Sequence, residues 1–261
     1  MTTTDMEFLH EARAFALTLA HDVRPLSRRH FRQPLGITLK ADASPVTCAD
    51  REVEAALRQA IRERYPEHGL LGEEEGGRIA EGWTWVVDPI DGTKSFICGV
   101  PLYGTLIALL QEGRPVLGVI DMPALDECWV GDPSGTHLHD VPARTSGCTE
   151  LSKARLFATS PEQFAGPDAA AWSRVAGAVA MRRYGGDCYL YGLLASGHCD
   201  LVVEAGLQPY DVMALVPVVH GAGGVISDWQ GAPLRADFDG RVVAAATPAL
   251  HREALALLAS V

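Results

Sequence analysis

The sequence predicts a protein of mixed α and β structure, α+β in its first half and α/β in its second. Near the N-terminus, apolar residues recur at three- and four-residue steps, the spacing of an amphipathic helix. Further along, apolar runs separated by short polar turns indicate antiparallel strands. In the second half such runs alternate with helical segments, and this alternation is typical of α/β folds.

The first predicted helix runs from about Asp5 to His30. Its apolar stripe consists of Phe8, Leu9, Ala12, Phe15, Ala16, Leu19, Ala20 and Val23. Turn-forming residues predict a loop over Lys40–Asp50, and a second helix is expected over Asp50–Arg64, ended by Pro66. One interpretation of Asp50 is that it simply caps this helix.

Three acidic residues follow the short apolar strand Leu70–Leu71 in the segment G-E-E-E-G. A charged turn of this kind is often only solvated. Here a second acidic element comes directly afterwards in the chain, which favours Glu73 as a metal ligand. Glu74 and Glu75 are then expected to support it or to face solvent.

A buried strand is predicted over Trp83–Val87, where every residue is aromatic or β-branched, and it should end at Asp88. Asp88 and Asp91 would be two solvated acids in the plainest interpretation. Buried together they repel each other, and a divalent cation such as Mg²⁺, which takes oxygen ligands, would neutralise them. Gly92 allows close approach of the backbone, and the amides of Gly92 and Thr93 would open a helix that can hold phosphate.

The remaining elements continue the same pattern. Leu102–Leu110 and Val116–Met122 predict a hairpin, and Cys128–Val130 extends the sheet. Later strands are expected at Leu156–Ser160, Met181–Tyr184, Leu201–Val203, Gly224–Ser227 and Val242–Ala246. Later helices are expected at Pro167–Val179, Asp187–Gly197, Tyr210–Gly221 and Pro248–Ala259. The polar passage near residues 140–152 divides the chain into an N-terminal lobe, residues 1–142, and a C-terminal lobe, residues 143–261.

Composition excludes several classes of partner. The net charge of −11 argues against a nucleic-acid backbone. No run reaches the roughly 18 apolar residues of a membrane span, and no signal-peptide pattern is present. The six cysteines contain no C-x-x-C pair, so we expect reduced thiols and a cytoplasmic protein.

Three motifs carry a resemblance to a known family. They are D-P-I-D-G-T at 88–93 with the upstream Gly72-Glu73-Glu74, Tyr210-Asp211-Val212-Met213-Ala214, and the G-G-x-x-x-D segment at 223–228. In this order they resemble the inositol monophosphatase superfamily of Mg²⁺-dependent, lithium-sensitive phosphatases. Tyr210 departs from the usual Trp but keeps an aromatic ring before the acid.

The resemblance implies a layered αβαβα sandwich, a small phosphate ester as substrate and a homodimer. It implies two or three Mg²⁺ ions, with a third metal site in the mobile loop Lys40–Asp50. The implied metal ligands are Glu73, Asp88, the carbonyl of Ile90, Asp91 and Asp211. The pair Asp50 and Thr93, with Glu73, would orient and deprotonate the attacking water, and the amides of Gly92 and Thr93 would hold the phosphate.

Two segments are most similar to those of monofunctional histidinol-phosphatases. They are I-D-G-T-K-S-F-x-x-G-x-P-L-x-G-T-L-I-A-L and V-V-E-A-G-L-x-P-Y-D. Inositol monophosphatase is the first alternative, followed by a 3′,5′-bisphosphate nucleotidase or an inactive metal-binding relative. Asp187 and Glu204 are the candidate substrate-binding residues. In the inositol enzymes a Glu at the offset of Glu204 contacts substrate hydroxyls, whereas the position of Asp187 is usually small. Alternatively, Asp187 caps a helix and Glu204 lies on a solvated strand end.

Overall fold

A computed structural model describes residues 3–34, 36, 38–39 and 45–259. Residues 40–44 of the predicted loop over Lys40–Asp50 lie outside the described residues, so the third metal site expected in that loop is not tested. Within the described ranges the α-helices are α1 Thr3–His30, α2 Cys48–Arg64, α3 Thr93–Ile97, α4 Pro167–Ala178, α5 Tyr189–Ala195, α6 Pro209–Val212, α7 Leu215–Gly221 and α8 Pro248–Ala259.

The first half of the chain forms a large mixed sheet. After the small pair β1 Thr38–Leu39 and β2 Pro45–Val46, its strands are β3 Gly69–Gly72, β4 Gly76–Arg78, β5 Trp83–Asp91, β6 Gly104–Gln111, β7 Arg114–Met122, β8 Glu127–Asp132, β9 Gly135–Leu138 and β10 Val141–Pro142. Their spatial order is β10-β9-β8-β7-β6-β5-β3-β4. Only the β3–β5 pair is parallel among these described strands, so β3 and β5 end at the same edge of the sheet.

The second half builds a smaller sheet. Its strands are β11 Arg155–Ala158, β12 Met181–Tyr184, β13 Leu201–Glu204, β14 Val225–Ser227 and β15 Val242–Ala245. They lie in the order β12-β11-β13-β15-β14, with β11 parallel to both β12 and β13. The strands predicted from the apolar runs are therefore present, within one or two residues at most ends.

Alternating side chains join the sheets and helices into five layers. Along β5, Trp85 and Val87 pack against α1 and α2, whereas Val86 belongs to a core between the sheets. That central core contains residues of α5 and α7 and takes Val202 from β13. The next residue of β13, Val203, packs on the far side with residues of α4 and α8. The predicted αβαβα sandwich is thus confirmed.

Three local predictions were wrong. Strand β5 does not end at Val87 but continues to Asp91, with a shift in its pairing to β6 between Asp88 and Asp91. The single helix expected over Tyr210–Gly221 is divided into α6 and α7. In one continuous helix Pro217 would be internal and would clash with the preceding turn, whereas in α7 it lies in the first turn, where proline is tolerated. The third wrong prediction is the start of helix α5, which lies beside the candidate active site.

No helix within the described ranges combines the length and apolar character needed to cross a lipid bilayer.

Candidate active site

The edge where β3 and β5 end opens into a cavity of about 220 Å³. The carboxyl end of β5 supplies Asp88, which is 1% exposed, together with Ile90 and Asp91. The shift in register turns the two aspartates toward the same cavity. Thr105 of the neighbouring strand fixes this irregular stretch, since its hydroxyl donates to the Pro89 carbonyl at 2.9 Å.

Three aspartates converge in the cavity. One carboxylate oxygen from each of Asp88, Asp91 and Asp211 lies within 4.8 Å of the other two. Asp211 reaches this position from the first turn of α6, where its Oδ2 accepts a hydrogen bond from the Gln208 amide at 2.7 Å. Glu73, in the turn after β3, lines the same cavity beside this group. The four acids predicted from separate motifs therefore meet in space.

Burial and mutual repulsion disfavour the ionised form of these acids. Desolvation raises the pKa of Asp88 well above its ordinary value, and the neighbouring Glu73 raises it further. The pKa of Asp91 is also raised by burial and then by the charge of Asp187. Burial raises the pKa of Asp211 to about 7. Without a compensating positive charge, the group would hold protons.

The donor set fits a hard divalent cation. All donors are oxygens, as Mg²⁺ prefers, and the aspartates already lie at a spacing that lets one ion contact several of them. Ile90 also lines the cavity, and its carbonyl accepts a hydrogen bond from the Thr93 hydroxyl at 3.0 Å. A carbonyl oxygen has two lone pairs, so this bond leaves one available.

Asp50 lies at the third position of helix α2, and the N-cap is Thr47. The Oδ2 atom of Asp50 accepts from the Thr47 amide at 2.8 Å and from its hydroxyl at 2.6 Å. Asp50 is therefore not the N-cap, as the plainer interpretation had it, but the N3 member of a capping box with Thr47. Its other oxygen, Oδ1, accepts a hydrogen bond from the Thr93 hydroxyl at 3.4 Å, so Asp50 joins α2 to the start of α3.

Gly92 turns the chain from β5 into α3. Its φ of 81° lies in the left-handed region, which glycine adopts without steric cost. A Cβ at this position would also lie 3.0 Å from Asp187 Oδ2 and from the Leu102 carbonyl oxygen. Helix α3 has only five residues. The dipole of so short a helix contributes little, and any phosphate affinity here depends on the individual amides of Gly92 and Thr93.

Asp187 does not begin helix α5 as predicted, because the helix starts at Tyr189 and Asp187 has a φ of 48°. It is not a cap either: no side-chain cap bond is present at this helix start. Its Oδ2 accepts a hydrogen bond from the Ser95 hydroxyl at 3.1 Å. The next amide, that of Cys188, donates to Asp91 Oδ2 at 2.6 Å. This turn therefore lies directly against the acidic group.

Glu204, at the end of β13, is 2% exposed, so the alternative of a solvated strand end was wrong. Its Oε1 accepts from the Thr159 amide at 3.0 Å and its Oε2 accepts from the Tyr191 hydroxyl at 2.8 Å. Burial raises the pKa of Glu204, whereas these two hydrogen bonds lower it. Asp187 and Glu204 both line the cavity.

Several cavity residues were not predicted from the sequence. They are Lys94, Thr159, Gln163, Cys188, Tyr191, Leu207 and Leu215. Lys94 and Cys188 are next to predicted site residues in the sequence, and this adjacency was the one signal that could have placed them in the cavity. Thr159 and Gln163 follow β11, in a segment whose sequence carries no motif, and only the parallel pairing of β11 with β13 brings them beside Glu204.

Comparison with known proteins agrees with this geometry. Residues 9–261 match the model of the inositol monophosphatase family. The chain is 47% identical over 241 residues to the chloroplastic bifunctional phosphatase IMPL2 of Arabidopsis thaliana, covering 87% of this chain and 69% of that protein. It is 38% identical over 250 residues to a histidinol-phosphatase of Chlorobaculum parvum, covering 93% and 95% of the two chains.

A solved structure of an inositol monophosphatase from Zymomonas mobilis has the same fold. It superposes with a TM-score of 0.88 at 44% identity, over 95% of this chain and 98% of that one. Enzymes of this family are phosphoric monoester hydrolases and depend on a metal ion, generally Mg²⁺. The chain belongs to the inositol monophosphatase family.

Proposed function

We propose that this phosphatase hydrolyses L-histidinol phosphate to L-histidinol and phosphate, a reaction of histidine biosynthesis. The observation that carries the proposal is a second pair of carboxylates, the partly buried Asp187 and the buried Glu204, which line the cavity in addition to the acids expected to bind metal. Histidinol carries an ammonium group and an ionisable imidazole. Charge-assisted hydrogen bonds to such a cation are stronger than neutral ones, so two further acids suit this leaving alcohol.

The metal would be held by Glu73, Asp88, the carbonyl of Ile90, Asp91 and Asp211. Bound Mg²⁺ would supply positive charge against the phosphoryl oxygens and lower the pKa of a bound water. The three aspartates arrive preorganised, because β5 and α6 fix their backbones. Two or three ions per site are proposed, the third depending on the segment that includes residues 40–44.

The protein's own groups would position the nucleophile. The Thr93 hydroxyl lies between the Ile90 carbonyl and Asp50 Oδ1, at 3.0 and 3.4 Å. In this role Glu73 and Thr93 orient a water, and its proton passes to the carboxylate system that includes Asp50. The amides of Gly92 and Thr93 hold the phosphate. The water oxygen bonds to phosphorus in line as the ester P–O bond breaks, and the leaving oxygen takes up a proton and departs as the alcohol, so no phospho-enzyme forms.

Inositol 1-phosphate is the second candidate substrate. Glu204 is suited to accept hydrogen bonds from ring hydroxyls, and the Zymomonas mobilis relative is named an inositol monophosphatase. Asp187 favours the first candidate, because a cationic substrate can form a charge-assisted hydrogen bond with its carboxylate, whereas a neutral ring offers it no opposite charge.

A panel of phosphate esters compared by kcat/KM tests the proposal. The panel contains histidinol phosphate, inositol 1-phosphate, a 3′,5′-bisphosphate nucleotide and phenyl phosphate, each with Mg²⁺ and with EDTA. We expect Mg²⁺-dependent turnover with histidinol phosphate preferred by at least about ten-fold, or about 1.4 kcal/mol. Preference for inositol 1-phosphate would overturn the substrate assignment, and absence of turnover on every ester would overturn the proposed activity.

A further inference from the structure

Gln163 brings an unused hydrogen-bond donor to the cavity. Its side chain lines the cavity, and its Nε2 atom is buried with no hydrogen-bond acceptor among the described residues. Buried side-chain polar atoms normally have a partner, because an unpaired one loses its hydrogen bonds to water without replacement. A donor left unpaired in a ligand cavity is therefore a candidate for contact with the ligand.

The backbone around Gln163 is firmly held. Ser160 caps the single turn Pro161–Gln163, and its hydroxyl oxygen accepts from the Glu162 amide at 3.2 Å. The following residue, Phe164, is buried and stacks on Trp172 with ring centroids 4.4 Å apart. Gln163 thus lies in a capped turn directly before a buried aromatic residue.

The chemistry beside Gln163 complements that of the acids. Thr159, four residues earlier, donates a hydrogen bond from its backbone amide to Glu204. The same segment therefore binds an acceptor, the Glu204 carboxylate, and carries a donor, the NH₂ group of Gln163. When ionised, Asp187 and Glu204 only accept hydrogen bonds, and they suit an ammonium group. The NH₂ group of Gln163 offers the opposite function and suits an atom with a lone pair.

We propose that Gln163 is a specificity-determining residue whose Nε2 donates a hydrogen bond to an acceptor atom of the leaving alcohol. In histidinol phosphate this acceptor is the unprotonated nitrogen of the imidazole ring, an assignment that rests on the proposed function. Asp187 and Glu204 bind the ammonium group, and Gln163 distinguishes an imidazole from a ring of similar shape without a lone pair.

The test compares Gln163→Met with the wild-type protein on two esters. Methionine has similar length but donates no hydrogen bond. L-phenylalaninol phosphate keeps the ammonium group and a flat ring but has no ring acceptor. We expect Gln163→Met to lower kcat/KM for histidinol phosphate by about ten-fold, mainly through KM, and to leave kcat/KM for phenylalaninol phosphate within about two-fold. Equal losses on both esters, or no loss on histidinol phosphate, would refute the donor role.

Glu162→Ala is the matched control, because Glu162 is exposed on the same turn. It should leave both kcat/KM values unchanged. Thermal unfolding of Gln163→Met verifies folding, and its Tm should not fall, since the substitution removes an unpaired donor. If the wild-type enzyme instead prefers inositol 1-phosphate, the proposed substrate fails but the donor role is still tested. In that case Gln163→Met must lower kcat/KM for inositol 1-phosphate and spare cyclohexyl phosphate, or the proposal is wrong.

Discussion

The carboxylate of Glu54 accepts a hydrogen bond from the backbone amide of Glu74, with an N–O distance of 2.7 Å. Its second oxygen accepts from the Glu75 amide at 2.9 Å, and Arg58 donates to that same oxygen at 2.7 Å. Glu54 is fully buried on α2. Through these bonds helix α2 fixes the turn that carries Glu73, so a residue outside the cavity sets the position of one of its acids.

Replacing Glu54 with Gln should weaken this turn. One carboxylate oxygen becomes an NH₂ group, which cannot accept from an amide, and Arg58 loses its buried charged partner while keeping the exposed Glu75. We expect the free energy of unfolding, measured by urea denaturation, to fall by about 1–3 kcal/mol. Because Glu73 is proposed as a metal ligand, the Mg²⁺ concentration that gives half-maximal thermal stabilisation should also rise.

Glu75→Gln provides the comparison, since its side chain is 56% exposed and lies 3.5 Å from Arg58. It should change stability by less than about 0.5 kcal/mol. A loss of stability in Glu54→Gln without any change in the Mg²⁺ midpoint would show that the turn does not position a ligand.

Asp88→Asn should separate stability from catalysis. The substitution keeps the shape of a buried side chain but removes a charge that is opposed by Glu73 and Asp91. In EDTA we expect the Tm of the variant to equal or exceed that of the wild-type protein. With saturating Mg²⁺, kcat should fall far below a tenth of the wild-type value. A ten-fold loss corresponds to an increase of only about 1.4 kcal/mol in the activation free energy. If the variant kept more than a tenth of the wild-type kcat, Asp88 would not be a ligand of the proposed metal site.

The metal-free protein should lose stability as the pH rises. The pKa of Asp211 increases from the ordinary 3.8 to about 7 on folding, so between these values the folded protein binds more protons than the unfolded chain. Where the folded state holds the extra protons, the free energy of unfolding decreases with increasing pH. Urea denaturation in EDTA should show this decrease, and Asp211→Asn should reduce it. An unchanged slope in the variant would contradict the raised pKa.

Sequence patterns predicted most of this architecture because each depends on local residues. The apolar run Trp83–Val87 predicted a buried strand, and in the structure Trp85 and Val87 pack on one side of β5 and Val86 on the other. The acids Asp88 and Asp91 adjoin that strand, so their entry into the cavity follows from the end of the strand. Resemblance to a family linked them to Asp211, which lies 120 residues later than Asp91.

Features that depend on distant contacts were missed. The hydrogen bond from the turn after β3 to Glu54 joins residues that are 20 positions apart in the chain. Nothing in the sequence near Glu54 indicates a buried acid. Helix α5 was predicted to begin at Asp187, directly after the glycine pair Gly185-Gly186. Instead the amide of Cys188 bonds to Asp91, 97 residues earlier, and this long-range contact holds the chain out of the helix.

Asp187→Ala tests whether the second acidic pair recognises the leaving alcohol. Asp187 lies beside Gly92 and accepts from Ser95, so its carboxylate is held at the edge of the proposed phosphate site. Loss of a charge-assisted hydrogen bond to the ammonium group should lower kcat/KM for histidinol phosphate by about ten-fold or more. For phenyl phosphate, which has no cation, kcat/KM should change by less than about two-fold at the same Mg²⁺ concentration. Ser95→Ala, which removes only the partner hydroxyl, should give a smaller effect in the same direction. Equal losses of kcat/KM on both esters would indicate that Asp187 only shapes the site. The proposal of a cationic substrate would then lose its main support.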